Sequence, residues 1–298
     1  MMRLKLSAFL LMASVLASAP FIQASGYQTV AFVAPHLGGT KVNANVILPR
    51  DYASSNRRFP VLYLVDGYSG NYTAWVAKSH IVQYAQKYEE IIFMPEYGAT
   101  SWYVNSYAYP SMRWEDYMIK DVIPYVDSHY RTIASREGRA IAGDSMGGYG
   151  AMMLGLKYAN LFSAVASLSG TLRCAEWDPV KMKDATLREA FGPLDNPARA
   201  AVDPFKLIKK VPRAQMPQIY FSIGEGDSRV MLGDNRAFAH LLAQLKIPYR
   251  YSEVPGGHQW PVWELEIQRV LALQAPVLGV KVDGCPGVEK MPKGIQAP

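Results

Sequence analysis

Five short apolar runs, each closed by a turn-forming residue, constrain what this chain can fold into more than any other feature. Val61 to Val65 reads Val-Leu-Tyr-Leu-Val and stops at Asp66-Gly67, and Ile91 to Met94 stops at Pro95. Ala140 to Ala142 stops at Gly143, Val165 to Leu168 at Ser169-Gly170, and Ile219 to Ile223 at Gly224. A strand whose every residue is apolar is covered on both faces, which is the situation inside a parallel sheet. Between the runs lie helix-periodic stretches, Ile81 to Tyr88, Tyr117 to His129, Met146 to Tyr158, Asn235 to Leu245 and Trp263 to Leu273. Strand and helix in alternation predict an α/β fold with a mostly parallel central sheet and helices on both faces. Thr29 to Val33 and Val42 to Leu48 read as two opening strands, and Tyr249 to Val254 as a late one. No linker or internal repeat divides the chain, so residues 25–298 are expected to form one domain.

Open parallel sheets do their chemistry beyond the carboxyl ends of the strands. Gly143-Asp144-Ser145-Met146-Gly147 stands there, between a buried run and a helical pattern. This is G-x-S-x-G in strand–turn–helix context, the nucleophile elbow of α/β-hydrolases, in which small flanking residues let the chain turn sharply and hold the serine hydroxyl out. A glycine-rich helix start capped by a serine is the plainer alternative. Phosphate-cradling loops are excluded, since neither G-x-G-x-x-G nor a lysine after the glycines is present. A trypsin-like site is excluded too, because it needs an all-β chain and the order His, Asp, Ser.

A serine hydroxyl needs a base to take its proton and an acid to orient that base. In this fold the acid and then the histidine follow the serine. Only His240 and His258 lie downstream of Ser145. His240 falls within a helical pattern, whereas His258 sits in the loop Pro255-Gly256-Gly257-His258, so His258 is the expected base. Gly224-Glu225-Gly226-Asp227 offers two carboxylates one unit earlier; Asp227 is favoured and Glu225 stays open, with Asp234 a weaker third. The backbone N–H groups of Met146 and Tyr68 are the expected oxyanion donors, although Gly67 to Gly70 would also suit a plain turn. Such acyl chemistry calls for no metal and no organic cofactor.

The sequence resembles the esterase D family of α/β-hydrolases, which includes S-formylglutathione hydrolases, tributyrin and feruloyl esterases and, more distantly, secreted mycolyltransferases. The similar segments are Val61 to Gly67 with Gly70-Asn71-Tyr72 and Trp75, Met94-Pro95, Ser101-Trp102-Tyr103, and Arg136 to Arg139 leading into the elbow. They continue through Leu161-Phe162, Ser167 to Gly170, Gly224 with Asp227, and Gly256-Gly257-His258, spanning about residues 40–275. The resemblance implies a triad of Ser145, Asp227 and His258 with Tyr68 and Met146 as oxyanion donors, and hydrolysis of carboxylic esters. Many members carry histidine where this chain has Asp66. The tail from Val280 has no counterpart.

Aromatic residues gather in the two loops expected over the site, among them Tyr68, Tyr72, Trp75, Trp102, Tyr103, Tyr107, Tyr109 and Trp114. Trp102 and Tyr103 are the substrate-binding candidates, against the plainer reading that these rings brace long loops. Leu172 to Pro212 is expected to insert beside the pocket as a partial cap. Small-molecule or polysaccharide-linked esters are the expected substrates. An acyltransferase passing the group to a sugar hydroxyl, a thioesterase like the S-formylglutathione hydrolases, and a non-catalytic binder on the same scaffold are the rivals.

The net charge of +6 is scattered and forms no basic run interleaved with aromatics, which argues against a nucleic-acid partner. Arg3 and Lys5 precede an apolar stretch from Leu6 to Ala19, the pattern of a cleaved secretory leader over residues 1–24. Export to the periplasm or beyond, with no stable membrane insertion after cleavage, is the expectation. Cys174 and Cys285 are the only cysteines; a bridge between them stays open, as does the oligomeric state.

Overall fold

The computed structural model describes residues 26–282, so the leader and Cys285, with its pairing, lie outside the described residues. Eight strands form one sheet in the order β1-β2-β4-β3-β5-β6-β7-β8. β1 (Gln28–Ala34) and β2 (Thr40–Ile47) pair antiparallel, and β2 pairs antiparallel with β4 (Ile91–Pro95). The remaining pairings are parallel, through β3 (Val61–Val65), β5 (Arg139–Asp144), β6 (Ala164–Leu168), β7 (Gln218–Gly224) and β8 (Arg250–Val254). The chain steps from β3 outward to β4, then returns to the other side of β3 with β5. That reversal opens a crevice at the carboxyl ends of β3 and β5, where α/β sheets hold their sites.

The apolar runs are buried on both faces because each face has its own helical layer. Val61, Tyr63 and Val65 point into one core with α5 (Met146–Lys157) and α9 (Arg229–Gln244). Leu62 and Leu64 point into the other, beneath α1 (Ala74–Lys78), α2 (Ile81–Ala85) and α10 (Trp260–Leu278). Trp75, expected in a loop over the site, is instead fully buried and donates its indole N–H to Val65 O at 3.0 Å, tying α1 to β3. Between β4 and β5, α3 (Trp114–Asp116) runs through a π-helical turn (Tyr117–Val122) into α4 (Ile123–His129). The segment after β6 folds into short helices, α6 (Pro179–Met182), α7 (Ala185–Phe191) and α8 (Pro204–Leu207). Beyond α10 the chain pairs back onto the molecule through Lys281 O, which accepts from Glu89 N, and the Tyr88–Val282 bridge. No helix of the described residues is long and apolar enough to cross a membrane.

Candidate active site

Ser145 stands between the end of β5 and the first residue of α5 with φ 53° and ψ −118°, a conformation that L-residues avoid unless the surroundings enforce it. The tight approach of the β3 loop enforces it: a Cβ on Gly147 would lie 2.5 Å from Asp66 O. The turn leaves the Ser145 hydroxyl at the sheet edge, 2.8 Å from Nε2 of His258. The opposite ring nitrogen, Nδ1, lies 2.7 Å from Asp227 Oδ1. His258 arrives on the glycine loop between β8 and α10, and its ring stands edge-on to Trp263 at 5.0 Å.

Of the two acids after β7, Asp227 faces the site and Glu225 is exposed. The second oxygen of Asp227 accepts from Ser169 Oγ at 2.8 Å and from the Gly224 N–H at 3.1 Å, so the carboxylate is held by three donors. Ser169 was invisible to sequence reasoning. Its role depends on a contact between β6 and β7 that no local pattern announces. His240 lies exposed on α9, and Asp234 accepts from Trp177 Nε1 at 3.2 Å.

Among the described residues, neither the Met146 N–H nor the Tyr68 N–H donates to a protein acceptor, while the neighbouring Ser145 and Ser69 N–H groups are both taken. Tyr68 is 43% exposed and its ring packs on Trp102 at 5.9 Å. The two substrate-binding candidates fare differently. Tyr103 is fully buried with its hydroxyl donated to Asp66 O at 2.5 Å, so it supports the loop from beneath and offers no surface to a ligand. Trp102 is 4% exposed and gives its indole N–H to Thr186 Oγ1 at 2.9 Å.

Two buried carboxyls flank the Tyr68 loop. A Cβ on Gly67 would meet Asp144 Oδ2 at 2.7 Å, and one on Gly70 would meet Asp66 Oδ2 at 1.9 Å. Asp66 Oδ2 and Asp144 Oδ1 have no hydrogen-bond partner among the described residues. Burial, aided by the charge of Asp144, pushes Asp66 up to about 8, and burial pushes Asp144 up to about 7. Among the described residues no group of three or more His, Cys, Asp or Glu side chains could hold a metal ion.

A parallel sheet whose strand order reverses at β3, with a strained serine turn leading from β5 into a helix and an acid and a histidine on the loops after β7 and β8, is the architecture of an α/β-hydrolase. The chain belongs to the esterase family described as "Putative esterase", whose model matches residues 36–273. It is 29% identical over 267 residues to Esterase Rv1288 of Mycobacterium tuberculosis, covering 80% of this chain and 57% of that protein. It therefore spans little more than half the length of that relative. Acetyl esterase of Caldicellulosiruptor saccharolyticus is 30% identical over 223 residues, covering 72% of this chain and 82% of its own. The substrate-bound structure of FphF, a fluorophosphonate-binding serine hydrolase of Staphylococcus aureus, superposes with a TM-score of 0.73 at 25% identity, over 85% of this chain and 98% of that one.

Proposed function

We propose that this protein hydrolyses carboxylic esters through an acyl-enzyme on Ser145. The observation that carries the reading is the unbroken relay from Ser145 Oγ to His258 Nε2 at 2.8 Å and from Nδ1 to Asp227 Oδ1 at 2.7 Å. With Nδ1 protonated toward Asp227, Nε2 is free to take the serine proton as Oγ adds to the ester carbonyl. The carbonyl oxygen becomes an oxyanion, to which the Tyr68 and Met146 N–H groups donate. Collapse expels the alcohol, which leaves with the proton held on Nε2. Water then gives a proton to Nε2 and adds its oxygen to the acyl carbon; the second intermediate collapses, Nε2 returns the proton to Ser145 Oγ as the C–Oγ bond breaks, and the acid is released. Asp227 orients the ring and stabilises the imidazolium.

One relative is named an acetyl esterase and another a feruloyl esterase, which supports short-chain, acetyl or feruloyl-type esters as the substrates. Arg3, Lys5 and the run Leu6 to Ala19 support export with cleavage after Ala24.

The test is hydrolysis of p-nitrophenyl acetate by the wild-type protein beside Ser145→Ala, His258→Ala and Asp227→Asn. Loss of a triad member is expected to lower kcat by about four orders of magnitude. Turnover that survives in Ser145→Ala at the wild-type rate would remove Ser145 from the chemistry.

A further inference from the structure

Prolines stand at the entry to the last two strands, Pro217 directly before β7 and Pro248 two residues before β8. A residue with no N–H cannot donate into a ladder. β7 pairs with β6 from Gln218 onward, but with β8 only from Tyr220, opposite Arg250, and by that register Pro248 stands where the partner of Gln218 would be. The two strands therefore part at their amino ends. A cleft of about 450 Å³ lies there, walled by the chain entering β7 on one side and by Pro248 to Arg250 on the other, and its size suits a small organic ligand. Asp227 and His258 follow the opposite, carboxyl ends of the same two strands. β7 alone spans seven residues, so roughly 20 Å separates the cleft from the triad.

The walls are fixed from within the protein. Arg213 gives Nη1 to Lys246 O at 3.1 Å and Nη2 to Leu245 O, which binds the segment before β7 to the end of α9. Arg136, in the turn before β5, donates its Nη2 to Gln215 O at 3.2 Å and to Met216 O at 3.3 Å. The floor is apolar: Ile219 is buried, Met216 is half-buried, and the Tyr249 ring packs on Phe221 at 5.9 Å. Two polar side chains of the cleft are unspent. Among the described residues the Arg250 guanidinium and the Gln218 amide have no hydrogen-bond or ion-pair partner, and no acidic side chain lines the cleft.

We propose that this cleft is a second ligand site, which binds a monocarboxylate carrying a small apolar body: Arg250 pairs with the carboxylate, and the body lies on Met216, Ile219 and Tyr249. A guanidinium meets a carboxylate through two parallel N–H bonds, a match of shape as well as of charge. Arg213 is committed to backbone carbonyls, so one guanidinium is left to answer one negative charge. The proposal does not rest on the Ser145 reading and holds whatever reaction that serine performs.

The test is NMR of protein carrying isotopically labelled methionine methyl groups, because Met216 reports on the cleft and Met146 on the serine turn. Met216→Leu and Met146→Leu assign the two signals. Hexanoate is titrated beside hexanamide, which has the same chain without the charge, and beside inorganic phosphate, which has charge without the chain. Hexanoate is expected to move the Met216 signal saturably with a Kd about tenfold below that of hexanamide, and Arg250→Gln is expected to abolish that difference. Arg250 is exposed, so its replacement leaves the core untouched. A Met216 signal that hexanoate does not move overturns the proposal, as does a hexanoate affinity unchanged in Arg250→Gln or a Met216 shift that inorganic phosphate reproduces with equal affinity. A shift at Met146 alone would place the acid beside Ser145 and overturn it as well.

Discussion

Asp66 and Asp144 face each other's field across the Tyr68 loop with an unpartnered oxygen each, so ionising both at once is unfavourable. Lys78 pulls both toward the charged form and His258 does so for Asp144, while Glu96 opposes it at Asp66; the buried Tyr103 ring completes the surroundings. A carboxyl whose folded pKa is raised binds its proton more tightly folded than unfolded. The stability it contributes is fully present below the unfolded pKa, near 3.8 for Asp66, and is lost as pH rises through the folded value of about 8. Asp66→Asn removes that loss. The variant is expected to melt above wild type at pH 8 to 9, by on the order of a few kcal/mol, with the gap closing toward pH 4. Thermal melts across that range check it, and a constant gap would dismiss the titration of Asp66 as its source. At this scale the candidate triad was readable because acyl chemistry demands few residue types and only two histidines follow Ser145. The hold of Ser169 on Asp227 was not, because it is defined by a contact between segments far apart in sequence.

Helix α5 shows how an element transmits packing to the site. A Cβ on Gly150 would lie 2.3 Å from Cγ of Tyr103, the ring whose hydroxyl holds Asp66 O. Gly150→Ala gains helix propensity of about 1 kcal/mol, yet must push a fully buried ring aside, at a cost of about 1–3 kcal/mol. The expected outcome is a net loss of stability together with lowered ester turnover, since the Tyr103 hydroxyl holds Asp66 O at the base of the loop that carries the proposed oxyanion donor Tyr68. Denaturant midpoints and kcat measured on one preparation check both, and a stabilised, fully active variant would deny the coupling. The strands were legible almost residue for residue, because continuous apolar runs have few other uses. Helix boundaries were less so. The first turns of α9 carry Arg229, Gly233 and Asp234, which break the apolar period, and the Ser228 cap replaces it as the start signal with its Oγ 3.2 Å from Met231 N. α10 starts earlier and runs later than its pattern, passing through Pro276 to Leu278, because tertiary packing of Ala275 and Leu278 overrides the breaker. The helix expected over Ile81 to Tyr88 stops at Ala85, and the five-residue α1 before it is too short to show a period.

Across the whole molecule, Tyr68, Ser145, Asp227 and His258 stand at the carboxyl edge of the sheet on the segments that follow β3, β5, β7 and β8. The scaffold below that edge is two apolar cores, one on each face of the sheet, and the groups above it are spread through nearly two hundred residues of sequence. Residues 1–24 are the proposed address of the protein. Expressed with residues 1–24, it is expected to appear outside the cytoplasm with Ser25 at its amino terminus, which intact-mass measurement on the exported fraction checks. Retention inside the cell at full mass would refute the leader. The φ of 53° at Ser145 has a further consequence, which concerns what selection can see. A glycine there would occupy the same backbone angles at ease, so the proposed nucleophile is a residue the fold would exchange for a smaller one if endurance were all that counted. Heat and time, acting on this gene alone, would favour the chain that had forgotten its work.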